Sequence, residues 1–189
     1  MALSYAQQAG FDLEGALSSV QKALTLDPGN SLAWSRLAEL RLSFGELRQA
    51  QQAAARAVEL NPKLARTQVV LGFAYLTQIR IKDAKRAFES AIELDSADPL
   101  PRLGLGLATI RRGALAEGRR EIEVAAGLDP AASLTRSYLG KAYYDEKRDA
   151  PARTELAAAK ELDSKDPTPW LSMRSARRRS IAPSRPSAI

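Results

Sequence analysis

The sequence contains no cysteine and no histidine among its 189 residues. The absence of cysteine excludes disulfide bonds, thiolate nucleophiles and cysteine-ligated zinc or iron–sulfur sites. The absence of histidine excludes an imidazole base, a Ser-His-Asp triad and histidine metal ligands. Catalysis would have to depend on carboxylates, lysine, tyrosine or a cofactor, and the sequence shows no motif for any of these. We therefore predict a protein that is not an enzyme and that binds no cofactor, metal or small-molecule substrate.

Long hydrophobic runs are also absent, because no apolar stretch approaches the ~18 residues that a membrane span requires. The N-terminal segment lacks the basic start and the continuous apolar stretch of a secretory signal. These features predict a soluble protein in the cytoplasm. A periplasmic location stays open if the native N-terminus is missing from the chain.

The formal charge of +6 is concentrated near one end of the sequence. Five arginines lie in the last sixteen residues and no acidic residue follows Asp166, so the rest of the chain carries only +1. A nearly neutral body disfavours nucleic acid and membrane as partners. Residues 172–189 are rich in Ser, Arg and Pro and lack a helical apolar period, so we expect them to be disordered. The alternative is a basic arm that contacts nucleic acid or an acidic membrane.

A fixed internal period organises the remainder of the sequence. Leu-Asp or Leu-Asn closes an apolar run at 26–27, 60–61, 94–95, 128–129 and 162–163, always at the same interval. In the same register, small residues recur at 16, 50, 84, 118 and 152 and at 23, 57, 91, 125 and 159. A third column, predicted to fill the layer between close helix crossings, contains Val20, Ala54, Phe88, Ile122 and Leu156. A period of this length indicates repeated units that bury their apolar faces against their neighbours.

Each unit is predicted to contain two helices, because its apolar residues recur at steps of three and four. Gly45 and Gly113 stand where the chain leaves the first helix and enters the second. Pro28, Pro62 and Pro130 stop the second helix. At two other junctions Asp98-Pro99 and Asp166-Pro167 suit an N-cap followed by proline at the first helical position.

The unit resembles the tetratricopeptide repeat. The matching residues are Trp34, Leu37, Ala38, Gly45, Ala50, Ala57 and Pro62 in one unit, and Leu71, Gly72, Tyr75, Ala84, Phe88 and Ala91 in the next. The resemblance implies an all-α, right-handed superhelical solenoid of antiparallel helix pairs with about five repeats. The expected array covers residues 1–171, with units at 1–30, 31–64, 65–98, 99–132 and 133–166 and the start of a sixth at 167–171.

Some units depart from the family pattern. Arg102 and Arg136 occupy the position of Trp34, and Ile79 and Lys147 occupy the position of Gly45. Drift of this kind leaves the fold prediction intact, but it weakens the expectation that all units are equally stable.

The resemblance implies a scaffold that binds a protein segment in a concave groove lined by the first helix of each unit. The helical wheel shows a second apolar stripe on the first helices of the two central units, which predicts a groove with an apolar floor and mixed polar ends for an amphipathic helix or an extended segment. The candidate groove residues are Arg66, Val69, Phe73, Leu76, Leu100, Leu103, Leu107, Ile110, Lys141 and Tyr144. The alternative is that these side chains pack on one another across the inner curve of a tight superhelix.

Three further interpretations stay open at this point. The chain resembles large bacterial proteins of tetratricopeptide type, so we expect it to be a fragment of a longer array whose tail is a non-native continuation. It could therefore be a recruitment or assembly module of a larger enzyme or secretion machine. Exposed apolar faces of uncapped repeats would also favour self-association. A clamp for the acidic tail of a chaperone is not predicted, because the inner stripe holds mostly Ser, Val, Phe, Leu and Glu.

Overall fold

A computed structural model describes residues 1–164, which form ten helices and no strand. The helices are α1 (Ala2–Ala9), α2 (Leu13–Leu26), α3 (Ser31–Ser43), α4 (Leu47–Leu60), α5 (Ala65–Thr77), α6 (Ile81–Leu94), α7 (Pro99–Arg111), α8 (Leu115–Leu128), α9 (Ser133–Asp145) and α10 (Asp149–Leu162). Each odd-numbered helix packs against the even-numbered helix that follows it, which confirms a helical repeat solenoid of about five helix pairs. The predicted start of a sixth unit and the predicted disordered tail lie outside the described residues.

The turn inside every helix pair has the same backbone geometry. Its central residue has a positive φ in all five units: 74° at Gly45, 98° at Gly113, and 62° at Phe11, Ile79 and Lys147. The amide of this residue donates to the carbonyl three residues earlier, and the next amide donates to the carbonyl five residues earlier, as in Ile79 to Leu76 and Arg80 to Tyr75. This is the Schellman motif that ends many helices. The turn is therefore kept even where the glycine is lost.

Two of the four junctions between the described pairs are closed by side-chain caps, those before α3 and α7, whereas the residues before α5 and α9 make no such bond. The carboxylate of Asp98 accepts a hydrogen bond of 2.9 Å from the amide of Leu100, and α7 starts at Pro99. This confirms the prediction that Asp98 is an N-cap followed by proline at the first helical position. Asn30 caps α3 in the same manner by accepting from the amide of Ala33 at 3.0 Å.

The core runs continuously through the five pairs and depends on close helix approaches. The small residues Ala57, Ala91, Ala125 and Ala159 are fully buried, as are Val20, Ala54, Phe88 and Ile122 of the filling column. The Phe88 ring lies between two glycines: a Cβ built on Gly72 or Gly104 would lie 2.5 or 2.3 Å from it. A Cβ on Gly106 would lie 2.6 Å from the carbonyl oxygen of Gly118. Only residues without a side chain allow α7 to pack this closely on α6 and α8.

Arg136 compensates for the loss of tryptophan at the position of Trp34. The indole of Trp34 donates to the carbonyl oxygen of Pro28 at 2.9 Å, and Nε of Arg136 donates to the carbonyl oxygen of Pro130 at 2.7 Å. Both acceptors precede their donors by six residues, so the two side chains close the same loop. Arg136 also pairs with Glu155 at 2.9 Å, and Arg102 pairs with Glu121 at 2.8 Å in the preceding unit.

Candidate binding groove

The first helices of the five pairs share one face of the array. α3 packs on α5, and α5 packs on α7, so side chains at equivalent positions come together along this face. We call one set of equivalent positions on these helices the central column; it holds Tyr5, Glu39, Phe73, Leu107 and Lys141. The column is polar at both ends and apolar in the middle. Two cavities lie beside it, one on each side of Phe73.

The large cavity has a volume of about 580 Å³, within the ~300–1,000 Å³ typical of ligand pockets. Its apolar floor consists of Phe73 and Leu76 from α5 and Leu107 and Ile110 from α7, all predicted groove residues. Leu47 at the start of α4 and Tyr138 and Ala142 from α9 extend the apolar lining. The cavity thus draws its lining mainly from three successive first helices.

The large cavity has a polar edge formed by the last residues of these three helices. Thr77, Arg111 and Asp145 occupy equivalent positions in successive units. The Lys141 ammonium lies 2.7 Å from the carboxylate of Asp145, so these two charges satisfy each other. Arg111 makes no ion pair or side-chain hydrogen bond with any residue in the described range 1–164. Within residues 1–164, one positive charge therefore stands unpaired beside an apolar floor.

The small cavity, of about 240 Å³, lies between α3, α5 and the start of α7. The predicted groove residues Arg66, Val69, Phe73 and Leu100 line it together with Glu39, Leu42, Val70 and Asp98. Val69 is only 4% exposed, so it presents little surface to a ligand. Leu100 is 37% exposed and forms part of the rim.

Charges at the small cavity are mutually satisfied. Arg66 pairs with Glu39 at 2.6 Å and donates to the Tyr5 hydroxyl at 2.9 Å. Burial acts to lower the pKa of Arg66, but attraction to Glu39 and Tyr5 outweighs it and the net pKa is raised, so the guanidinium stays charged. On the other side of Glu39, the buried guanidinium of Arg36 pairs with the same carboxylate at 3.0 Å. The Arg36 guanidinium also lies 3.9 Å from the centre of the Tyr5 ring and donates to both the hydroxyl and the carbonyl oxygen of Ser4.

Besides Val69, two predicted groove residues are not available to a ligand. Leu103 is 1% exposed and packs in the core with Ile122 and Leu139, so its placement on the groove surface is wrong. The reason is that its position faces the neighbouring first helix, as the burial of the equivalent Ser35, Val69 and Ser137 shows. For these side chains the packing alternative holds.

The placement of Tyr144 on the groove surface is also wrong. Tyr144 is 8% exposed and lines neither cavity. Tyr143 is half-buried, donates its hydroxyl to Glu123 and lies beside the guanidinium of Arg119. Burial and the hydrogen bond to Glu123 raise the pKa of the Tyr143 hydroxyl.

The structure adds Tyr5, Leu47, Asp98 and Arg111 to the groove residues that were predicted from the sequence. The repeat register already contains the signal for Tyr5, which lies one period before Glu39. Arg111 could have been found from the corresponding edge register with Thr77 and Asp145. Leu47 belongs to a second helix, and no pattern within one unit places it near the first helices of later units.

The described part of the chain offers neither a metal site nor a membrane span. No group of three or more acidic residues that could hold a metal ion occurs within residues 1–164. None of the described helices combines the length and apolar character needed to cross a bilayer.

Five stacked helix pairs with a groove along their first helices define a helical-repeat solenoid. Two sequence models, both described as tetratricopeptide repeat, match residues 7–69 and 65–98. Over residues 7–98 the chain therefore matches the tetratricopeptide repeat family, whose members are generally non-catalytic scaffolds for protein–protein interaction. No curated protein matches the chain.

Solved structures of tetratricopeptide repeat proteins share the fold. TTC0263 from Thermus thermophilus aligns with a TM-score of 0.85 at 22% identity over 94% of this chain and 96% of its own. A protein from Parabacteroides merdae aligns with a TM-score of 0.77 at 18% identity over 95% of this chain and 70% of its own. YrrB, described as having an unusual peptide-binding site, aligns with a TM-score of 0.59 at 19% identity over 90% of this chain and 88% of its own.

Proposed function

We propose that this chain is a non-catalytic scaffold that binds a segment of another protein in the groove of its first helices, with apolar anchor residues entering the large cavity. The observation that carries the proposal is the floor of Phe73, Leu76, Leu107 and Ile110, which borders an open cavity of about 580 Å³. An amphipathic helix or an extended segment with spaced apolar side chains fits such a groove. The description of YrrB as a protein of the same fold with a peptide-binding site supports this use of the groove.

The test must separate the groove from the core, because the floor residues also stabilise the fold. Phe73 packs edge-to-face on Phe88 with ring centres 5.0 Å apart, so truncating it would also weaken the interior. Thr77 is a better target, since it is exposed, lines the large cavity and donates its hydroxyl only to the carbonyl oxygen of Ala74. The T77R variant would place a long side chain into the cavity while leaving the core unchanged.

The binding assay uses peptides long enough to cross the three helices that line the large cavity, selected from a random displayed library against the unmodified protein. We expect T77R to lose binding while its melting temperature stays unchanged. The matched control is T154R: Thr154 is an exposed threonine on α10 whose hydroxyl donates to its own helix, at Ala150. Selected peptides that bind T77R as well as they bind T154R would contradict the proposal, as would a selection that enriches no peptide.

Self-association is a second candidate, because α1 and α2 expose apolar side chains that later units cover. Leu3 is 62% exposed, whereas the equivalent Leu71, Leu105 and Leu139 are buried. Leu26 is 88% exposed, about twice the value for the equivalent Leu94 and Leu128. A second copy that covers this face would double the mass in light scattering. The double variant L3S/L26S should then remain monomeric, whereas a monomeric parent protein would refute the idea.

A further inference from the structure

The large cavity combines an apolar floor with one positive charge that has no partner in the described part of the chain, and this combination specifies the chemistry of a ligand. The guanidinium groups of Arg36 and Arg66 already pair with Glu39. The ammonium of Lys141 pairs with Asp145. Arg111 lines the cavity but has no such partner among residues 1–164. The charge excess of the described groove therefore lies at the C-terminal end of α7.

A ligand that covers the floor would also remove water from around Arg111. An uncharged or basic ligand would leave the guanidinium with less water and no partner, which opposes binding. A carboxylate could instead receive two parallel N–H donors from the planar guanidinium, a geometry that is both strong and directional. Charge complementarity of this kind at the border of an interface selects partners and fixes their register.

The small cavity lacks this preference. Its acidic groups are engaged, because Glu39 pairs with Arg36 and Arg66 while Asp98 caps α7. A charged ligand side chain would have to break one of these contacts in order to pair there. The small cavity should therefore accept a neutral or apolar side chain. The two ends of the groove thus differ in what they favour.

We propose that the segment bound in the groove carries an acidic side chain that pairs with Arg111, next to apolar anchors that fill the large cavity. The neutral part of the segment extends past Phe73 toward α3. This inference rests on the proposed function and adds both the charge of the partner and its direction along the groove.

The experiment compares the peptides selected from the displayed random library with variants in which the acidic residue becomes its amide. We expect the selected peptides to contain Asp or Glu adjacent to a pair of apolar residues. Replacing that residue by Asn or Gln should weaken binding about two- to fivefold at low salt, which corresponds to about one exposed ion pair. The R111Q protein should show the same loss with the acidic peptide and no further loss with the amide peptide.

Arg112 supplies the matched control, because it is the adjacent exposed arginine, pairs with Glu117 at 3.6 Å and does not line the cavity. The R112Q protein should bind the acidic peptide with unchanged affinity. Two results would overturn the inference and leave the proposed function standing. In one, the enriched peptides compete for the T77R-sensitive site but lack an acidic residue. In the other, they bind R111Q as tightly as they bind the parent protein. Peptides insensitive to T77R would overturn the proposed function itself.

Discussion

At position 79 we expect the protein with glycine to be more stable than the protein with alanine, which is the reverse of the usual order inside helices. Ile79 adopts a φ of 62°, in the left-handed region, although it is β-branched. Gly45 and Gly113 occupy the equivalent positions in other units. The structure therefore predicts that the backbone at Ile79 is strained and that glycine relieves the strain.

The magnitude follows from two opposing terms. An L-residue in the left-handed region costs about 1–2 kcal/mol. Glycine loses about 0.5–1 kcal/mol more conformational entropy on folding than alanine does. The difference leaves I79G more stable than I79A by about 1 kcal/mol. Comparing these two variants cancels the loss of the isoleucine side chain, which is 68% exposed in any case.

The assay is urea unfolding followed by far-UV circular dichroism, with the same pair of substitutions at a helical control site. Arg86 is exposed in the middle of α6, so R86G should be less stable than R86A by about 1 kcal/mol. The order of the glycine and alanine variants should therefore reverse between positions 79 and 86. If glycine is the less stable residue at both positions, the left-handed turn at Ile79 is not the source of strain.

Three further predictions concern the core and the half-buried Tyr143. Ala91 and Ala125 are fully buried at helix crossings, so A91L or A125L should lower the free energy of unfolding by about 1–3 kcal/mol. The control A157L, at an exposed site on α10, should leave it unchanged, and core variants as stable as the parent protein would mean that the assigned repeat register is wrong. The G104A variant should be destabilised because its Cβ would lie 2.3 Å from the Phe88 ring. In a double-mutant cycle, the second substitution F88L should recover part of this loss, and purely additive changes in the free energy of unfolding would contradict the contact. The pKa of Tyr143 is raised in the folded protein, so the folded protein keeps a hydroxyl proton that the unfolded chain releases near pH ~10. The stability contributed by this protonated hydroxyl is full below that pH and is lost as the pH rises through the folded pKa. The urea midpoint of the parent protein should therefore fall more steeply above pH ~10 than that of Y143F.

The fold can be predicted well from the sequence, because helix packing requires small residues at the same positions of every unit. Ala91 and Ala125 are small for the same reason: each lies where two helices touch. A pattern that the fold imposes several times can be detected in a single sequence. The helix pairs and the N-cap at Asp98 follow from such local or repeated demands.

The groove is harder to predict because its surface depends on distances between units. A helical wheel places Leu103 and Leu107 on one stripe, but only the approach of the neighbouring first helix decides that Leu103 is buried. The contact of Arg66 with Tyr5 joins residues 61 positions apart on different helices. No periodicity within one unit contains that information. The unpaired state of Arg111 likewise becomes evident only when the partners of the other charges are known.

The identical turn in all five units has a consequence for how such a chain can change in length. Because every unit has the same length and the same internal turn, removing a whole unit such as residues 65–98 would join equivalent positions and leave the remaining interfaces in register. Removing one residue fewer would rotate every later helix by about 100° and expose its apolar side. The array can therefore change in length only by insertion or deletion of complete helix pairs, and the groove would become longer or shorter by one first helix each time.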